Sequence, residues 1–193
     1  MRRSKADTAR TRERIVETAS QQFRRHGISD AGLSRLMAAA GLTHGGFYRH
    51  FPSKDQLVTE ACQKALISLT DGLEAHVDGK SPNHALPLLL EKYLSRTHRD
   101  QPAAGCVLSA LGSELARSDA ATRKVATNGF LRLAGLIAPQ LKTLPPDEAQ
   151  DRSLAIAAAM VGTITLSRII TDAPTSNALL RGTKNYILKA ARK

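Results

Sequence analysis

Apolar residues recur three and four positions apart along most of this 193-residue chain, the spacing of helices that bury one face. Ile15, Val16, Ala19 and Phe23 form the first such stripe, in a helix read from Thr8, and Gly27 stops it. Residues 33–40 (LSRLMAAA) predict a short helix with Leu33, Leu36, Met37 and Ala40 inward, and with Ser34 and Arg35 outward. Gly41 then turns the chain. Thr43 is the expected N-cap of a helix over 44–51, where Phe47 and Phe51 stand four apart and face the core. His44, Gly45, Tyr48 and Arg49 fall on its other faces. Pro52 ends this segment, and Ser53-Lys54-Asp55-Gln56 matches a capping box opening a long helix to about Ala75 or Val77.

Three breaks divide the remainder: GKSPN (79–83), RDQPAAG (99–105) and LPPDEAQ (144–150). Ser81, with Pro82 at the first helical position, starts a helix expected to reach about His98. Cys106 to Arg117 is a shorter helix, and Ser118 or Asp119 caps the next, to about Thr143. Asp147 and Glu148 suit the amino end of an apolar helix over 149–171. Ala173-Pro174 separates it from a last helix ending near Ala191. The expected fold is all-α with about nine helices. Residues 1–54 are expected to form a basic arm and a three-helix, helix-turn-helix DNA-binding domain. Residues 55–193 are expected to form a helical effector-binding and dimerisation domain.

The net charge of +11 matters through its placement. Residues 1–54 hold 11 Lys/Arg against four Asp/Glu, whereas the other 139 residues hold 17 against 13. A positive field concentrated on a helix-turn-helix suits a phosphate backbone. Cys62 and Cys106 are the only cysteines. Without paired spacing or a His partner they imply neither zinc nor a disulfide framework. No apolar run approaches the ~20 residues of a membrane span, and the basic amino terminus lacks the apolar stretch of a signal peptide. A cytoplasmic protein with no membrane partner is expected. No Gly-rich phosphate loop, metal-ligand spacing or nucleophile–base pair appears, so neither enzyme activity, metal nor cofactor is expected.

The stretch 10–57 resembles the TetR/AcrR family of transcriptional regulators. The resemblance rests on Thr11/Arg12 leading to Ile15, Ala19, Phe23 and Gly27, then Leu36, Ala40-Gly41-Leu42, Gly45, Phe47-Tyr48, His50-Phe51, Ser53-Lys54 and Leu57. One departure is Ala31-Gly32, where the family commonly has a Thr or Ser cap; Asp30 or Gly32 would cap instead. The resemblance implies that Thr43 bonds a phosphate and that His44, Gly45 and Gly46 lie at base edges. It further implies that Tyr48, His50 and Lys54 grip phosphates, that Arg49 meets backbone or base, and that Ser34 and Arg35 flank the groove. Arg2, Arg3 and Lys5 of the arm would reach a neighbouring groove.

The helices over 149–171 and 174–192 carry more apolar residues than one packing face needs. Leu154, Val161, Thr163 and Ile170 join a small-residue stripe of Ala155, Ala158, Ala159 and Gly162, with Leu166 and Ile169 beyond it. The resemblance implies a homodimer through a four-helix bundle, placing two recognition helices about 34–36 Å apart on double-stranded operator DNA. A small-molecule effector, apolar or electrophilic, is expected among residues 60–170. His76, His84 and His98 are scattered and expected to be exposed. Cys106, expected in the first turn of a helix with Arg96 and Arg99 upstream, is a candidate thiol sensor; as a small buried packing residue it would be inert, as Cys62 is expected to be. The favoured function is a DNA-binding repressor released by an effector or by thiol modification. Its alternatives are an activator of the same fold, and a helical interaction protein with a nonspecific nucleic-acid-binding head.

Overall fold

The computed structural model describes residues 5–191. Arg2 and Arg3 therefore lie outside the described residues. Lys5 opens the first helix, three residues ahead of the start expected at Thr8, so Lys5 of the basic arm is helical. Among the described residues there are nine α-helices and no strand.

Helix α1 (Lys5–His26) ends at Gly27, whose φ of 86° lets it take the left-handed conformation that closes the helix. Helix α2 (Leu33–Ala39) starts at Gly32 without any side-chain cap. It ends at Gly41 (φ 70°), where the Leu42 N–H reaches back to the Met37 carbonyl at 2.9 Å. That backward bond is the closure that favours glycine at such a site. The expected recognition helix is a 3-10 segment, His44–Arg49; Thr43 stands at its N-cap and its carbonyl accepts the Gly46 N–H at 3.0 Å, but its side chain makes no capping bond. Two adjacent glycines weaken α-helix there, and the segment is held instead by burial of Phe47 against Phe51, with ring centroids 5.6 Å apart.

Helix α3 (Lys54–Val77) opens as the capping pattern requires, Ser53 Oγ accepting the Gln56 N–H at 3.1 Å. The single helix expected from Pro82 to His98 is two helices, α4 (Pro82–Tyr93) and α5 (Arg96–Asp100). Ser95 divides them because its side chain accepts the His98 N–H and so caps a new helix. A 3-10 turn over Pro102–Ala104 leads to α6 (Val107–Ala116), with Cys106 at its N-cap rather than inside its first turn. Asp119 caps α7 (Ala120–Ile137), which passes into a 3-10 turn over Ala138–Gln140. Helices α8 (Pro146–Ile169) and α9 (Ala173–Ala190) pack together to complete the fold.

Packing does not divide at residue 54. One apolar cluster joins Ile15, Phe23, Leu36, Phe47, Phe51 and Leu57 to Val107, Leu111 and Leu115 of α6. A second cluster is built on Leu89, Leu90, Tyr93, Ile137, Met160 and Ile164. By length and composition α8 could cross a membrane, although no segment was expected to span one. Here Ile156, Ala157, Met160 and Ile164 bury one side of it in the second cluster.

Candidate nucleic-acid interface and the cavity behind it

The surface that would meet DNA is assembled on a rigid base. Phe47 and Phe51 are fully buried, and Arg12 lies over the Phe51 ring at 4.4 Å. Arg12 also donates to Glu60 Oε1 at 2.6 Å and to the His50 carbonyl at 3.3 Å, tying α1 to α3 and to the end of the 3-10 segment. Burial alone would raise the Glu60 carboxyl, but the bonds from Arg12 and Gln56 outweigh it and hold that carboxyl below its ordinary value.

On this base the structure brings together most of the residues expected at a groove. Ser34, Arg35, Thr43, His44, Gly45, Tyr48 and Arg49 are exposed, while Gly46 and His50 are half-buried. Tyr48 is 66% exposed although its ring packs edge-on against Phe47 at 5.2 Å. A Cβ added at Gly45 would meet nothing within 4 Å, so no neighbouring atom excludes one there. Lys54 is set differently: it is half-buried and its Nζ donates to the Ile28 carbonyl at 2.6 Å. Two of its donors remain for a phosphate.

Sequence reasoning missed the residues that join this head to the rest of the chain. Glu114 of α6 accepts the N–H groups of Ile28 and Ser29 at 2.8 and 3.0 Å, holding the α1–α2 loop. Arg24 of α1 is buried, and its Nη1 donates to the Gly105 carbonyl at 2.8 Å. Burial, the largest influence, lowers the Arg24 pKa. These pairings join residues far apart in sequence, so no local pattern marks them.

Gly105 lines a cavity of about 360 Å³ bounded by α3, α4, α5 and the turn before α6. This lies within the expected 60–170 region. His98, expected to be exposed, is half-buried in its wall. Its Nδ1 bonds the Tyr93 carbonyl at 2.6 Å and its Nε2 bonds the Cys106 N–H at 2.8 Å. A carbonyl only accepts and an amide N–H only donates, so the ring is neutral with its proton on Nδ1. Burial first, and then the Arg168 and Arg24 charges, lower the His98 pKa to about 4 against the opposing bond to Tyr93.

Both thiols are buried. Burial pushes Cys62 up to about 12, as expected of inert packing. Cys106 is 0% exposed. The cations expected beside it are elsewhere: Arg96 is exposed, and Arg99 bonds Asp100, Ser176 and Asn177. Arg24 is the guanidinium group that reaches the neighbouring peptide, donating to the Gly105 carbonyl. Among the described residues no cluster of His, Cys, Asp and Glu could hold a metal ion.

Residues 15–61 match the family model described as "Bacterial regulatory proteins, tetR family". A probable acrEF/envCD operon repressor of Escherichia coli K12 is 32% identical over 106 residues, covering 52% of this chain and 48% of that protein. The HTH-type transcriptional repressor BepR of Brucella suis is 43% identical over 54 residues, 28% of this chain and 26% of that one. The chain thus spans about half or less of the length of these curated relatives. A TetR transcriptional regulator from Chloroflexus aurantiacus superposes with a TM-score of 0.81 at 24% identity, over 96% of both chains, and so shares the fold. Residues 15–61 thus match the TetR family, and the chain as a whole shares the fold of a solved TetR regulator.

Proposed function

We propose that the protein is a transcriptional repressor that binds a palindromic DNA operator as a homodimer and releases it when a small molecule occupies the cavity behind the DNA-binding head. The observation carrying this reading is the exposed ridge from Thr43 to Arg49, with Gly45 open to its surroundings, mounted on the buried Phe47–Phe51 stack. Such a ridge can enter a major groove, with His44 and Arg49 reaching base edges and Thr43, Tyr48, His50 and Lys54 meeting phosphates. Ser34 and Arg35 flank it.

The dimer would form through α8 and α9. Ala155, Ala158 and Ala159 are exposed and Gly162 is half-buried; Leu166 and Ile169 are 52% and 66% exposed, and Tyr186 of α9 is 74% exposed. An apolar helix face of this length asks for a partner, and small residues allow close approach. Thiol modification is a second route to release, but the burial of Cys106 favours the cavity route. A Cys106→Ala protein that still lost DNA on oxidant treatment would remove the thiol route.

Selection of random duplex DNA on the purified chain near physiological salt tests the reading. Enrichment of a palindrome with half-sites about one helical turn apart is expected, with affinity falling steeply as salt rises. Salt-sensitive bulk binding without enrichment would overturn it in favour of a nonspecific head. Promoter position decides between repressor and activator.

A further inference from the structure

The cavity behind the DNA-binding head has a charge bias as well as a shape. Leu69, Leu73 and Tyr93 supply its apolar part, and its lining contains Lys92 and His98 but no Asp or Glu. Lys92 Nζ donates to the Gly72 carbonyl across the gap between α4 and α3 at 2.6 Å. It forms no ion pair among the described residues, and an ammonium has two further donors to offer. His98 has both ring nitrogens engaged and cannot meet a ligand's charge without losing a bond. Behind it Arg168 donates to the His98 and Arg99 carbonyls, and Arg24 to the Gly105 carbonyl. Neither guanidinium has a carboxylate within ion-pairing distance among the described residues. A half-open apolar cavity with an ammonium at its mouth and two guanidinium groups behind its wall, answered only by the more distant Glu17 and Asp100, disfavours cations and favours small anions. At 360 Å³ it has room for one compact molecule of the size class such pockets take.

We propose that this cavity binds a small aromatic or alicyclic carboxylate, its hydrocarbon part against Leu69, Leu73 and Tyr93 and its carboxylate at Lys92. This names the ligand class for the effector site of the regulator reading and rests on that reading. The charge-assisted bond to Lys92 supplies selectivity, and the apolar wall supplies much of the affinity.

The test is calorimetric titration of the full chain, without DNA, using naphthalene carboxylate, its carboxamide and naphthylmethyl ammonium. The carboxylate is expected to bind one per chain, ahead of the amide, with the ammonium weakest. Lys92→Met should weaken the carboxylate about three- to tenfold and leave the amide unchanged. Gly72 lines the cavity, and a Cβ added there meets nothing within 4 Å, so Gly72→Leu should block both ligands in a folded protein. Equal binding of carboxylate and amide, no uptake of the carboxylate, indifference to Lys92→Met, or full binding to a folded Gly72→Leu protein would each overturn the proposal. A parallel operator selection keeps the two readings apart. Carboxylate binding with these preferences but no operator would remove the regulator and leave the site.

Discussion

Arg24 and His98 grip the same peptide unit from opposite sides. Arg24 Nη1 donates to the Gly105 carbonyl at 2.8 Å, and the Cys106 N–H donates to His98 Nε2 at 2.8 Å. One rigid peptide plane therefore joins α1, which frames the DNA-facing head, to the wall of the cavity. A Cβ added at Gly105 would lie 2.6 Å from the His98 ring, so the plane fits there only because residue 105 is glycine.

If this plane is shared, Arg24→Met and His98→Gln are not independent. Each should destabilise the chain, Arg24→Met by about 2 kcal/mol for a charged hydrogen bond. Together they should depart from additivity by more than about 0.5 kcal/mol. Chemical denaturation of the four proteins in the cycle measures this, and strict additivity would separate the two anchors.

The neutral His98 also sets a pH dependence. Its folded pKa of about 4 lies below the ordinary 6.5, so between those values the unfolded chain binds the extra proton. Its contribution is present above pH 6.5 and lost as pH falls toward 4. The loss is on the order of 3 kcal/mol. Denaturation at neutral and mildly acidic pH should show a steeper fall for the wild type than for His98→Gln. Parallel curves would show that His98 does not titrate with folding.

Gly45 separates packing from recognition. Because Gly45 is exposed and a Cβ added there meets nothing within 4 Å, Gly45→Leu should leave the melting temperature near its original value. The same change should cost at least about tenfold in operator affinity, since it holds the backbone away from the bases. Melting curves beside a DNA titration check both halves. Undiminished DNA binding would move the interface elsewhere.

Ala159 lies on the exposed side of α8. Ala159→Arg places a charge in the proposed helix bundle and should convert dimer to monomer in light scattering, with the helical circular dichroism retained. Operator affinity should fall with it, because a palindrome is read by two heads. A persisting dimer would place the interface on another face.

The head was the most legible part of the sequence because its signals are local. Gly27 and Gly41 at left-handed turns, Ser53 as a cap, and the four-residue spacing of Phe47 and Phe51 each act within one or two turns of helix. Their physics needs no distant partner. The exposed set from Ser34 to Arg49 followed from those anchors. Helical periodicity likewise marked α8 as apolar on more than one side, although which residues lie inward, Met160 and Ile164, was settled by packing against its neighbours.

Local signals went astray where a contact from elsewhere competed. Thr43 stands at the N-cap as its residue type suggests, yet its hydroxyl makes no capping bond, and the segment it opens is a 3-10 turn anchored from below by Phe47 and Phe51. The enclosure of His98 depends on the Cys106 amide, at the N-cap of α6, arriving against its ring.

Sequence alone thus determined most of the helices, the glycine turns and Ser53 cap of the head, and the charge of that head, since each depends on neighbours a few residues away. Only the tertiary structure decided that Arg24, Glu114, His98 and Lys92 join the head, the cavity and the helices between them. A hydrogen bond requires its two atoms to meet in space, and chain order does not encode that meeting for residues so far apart.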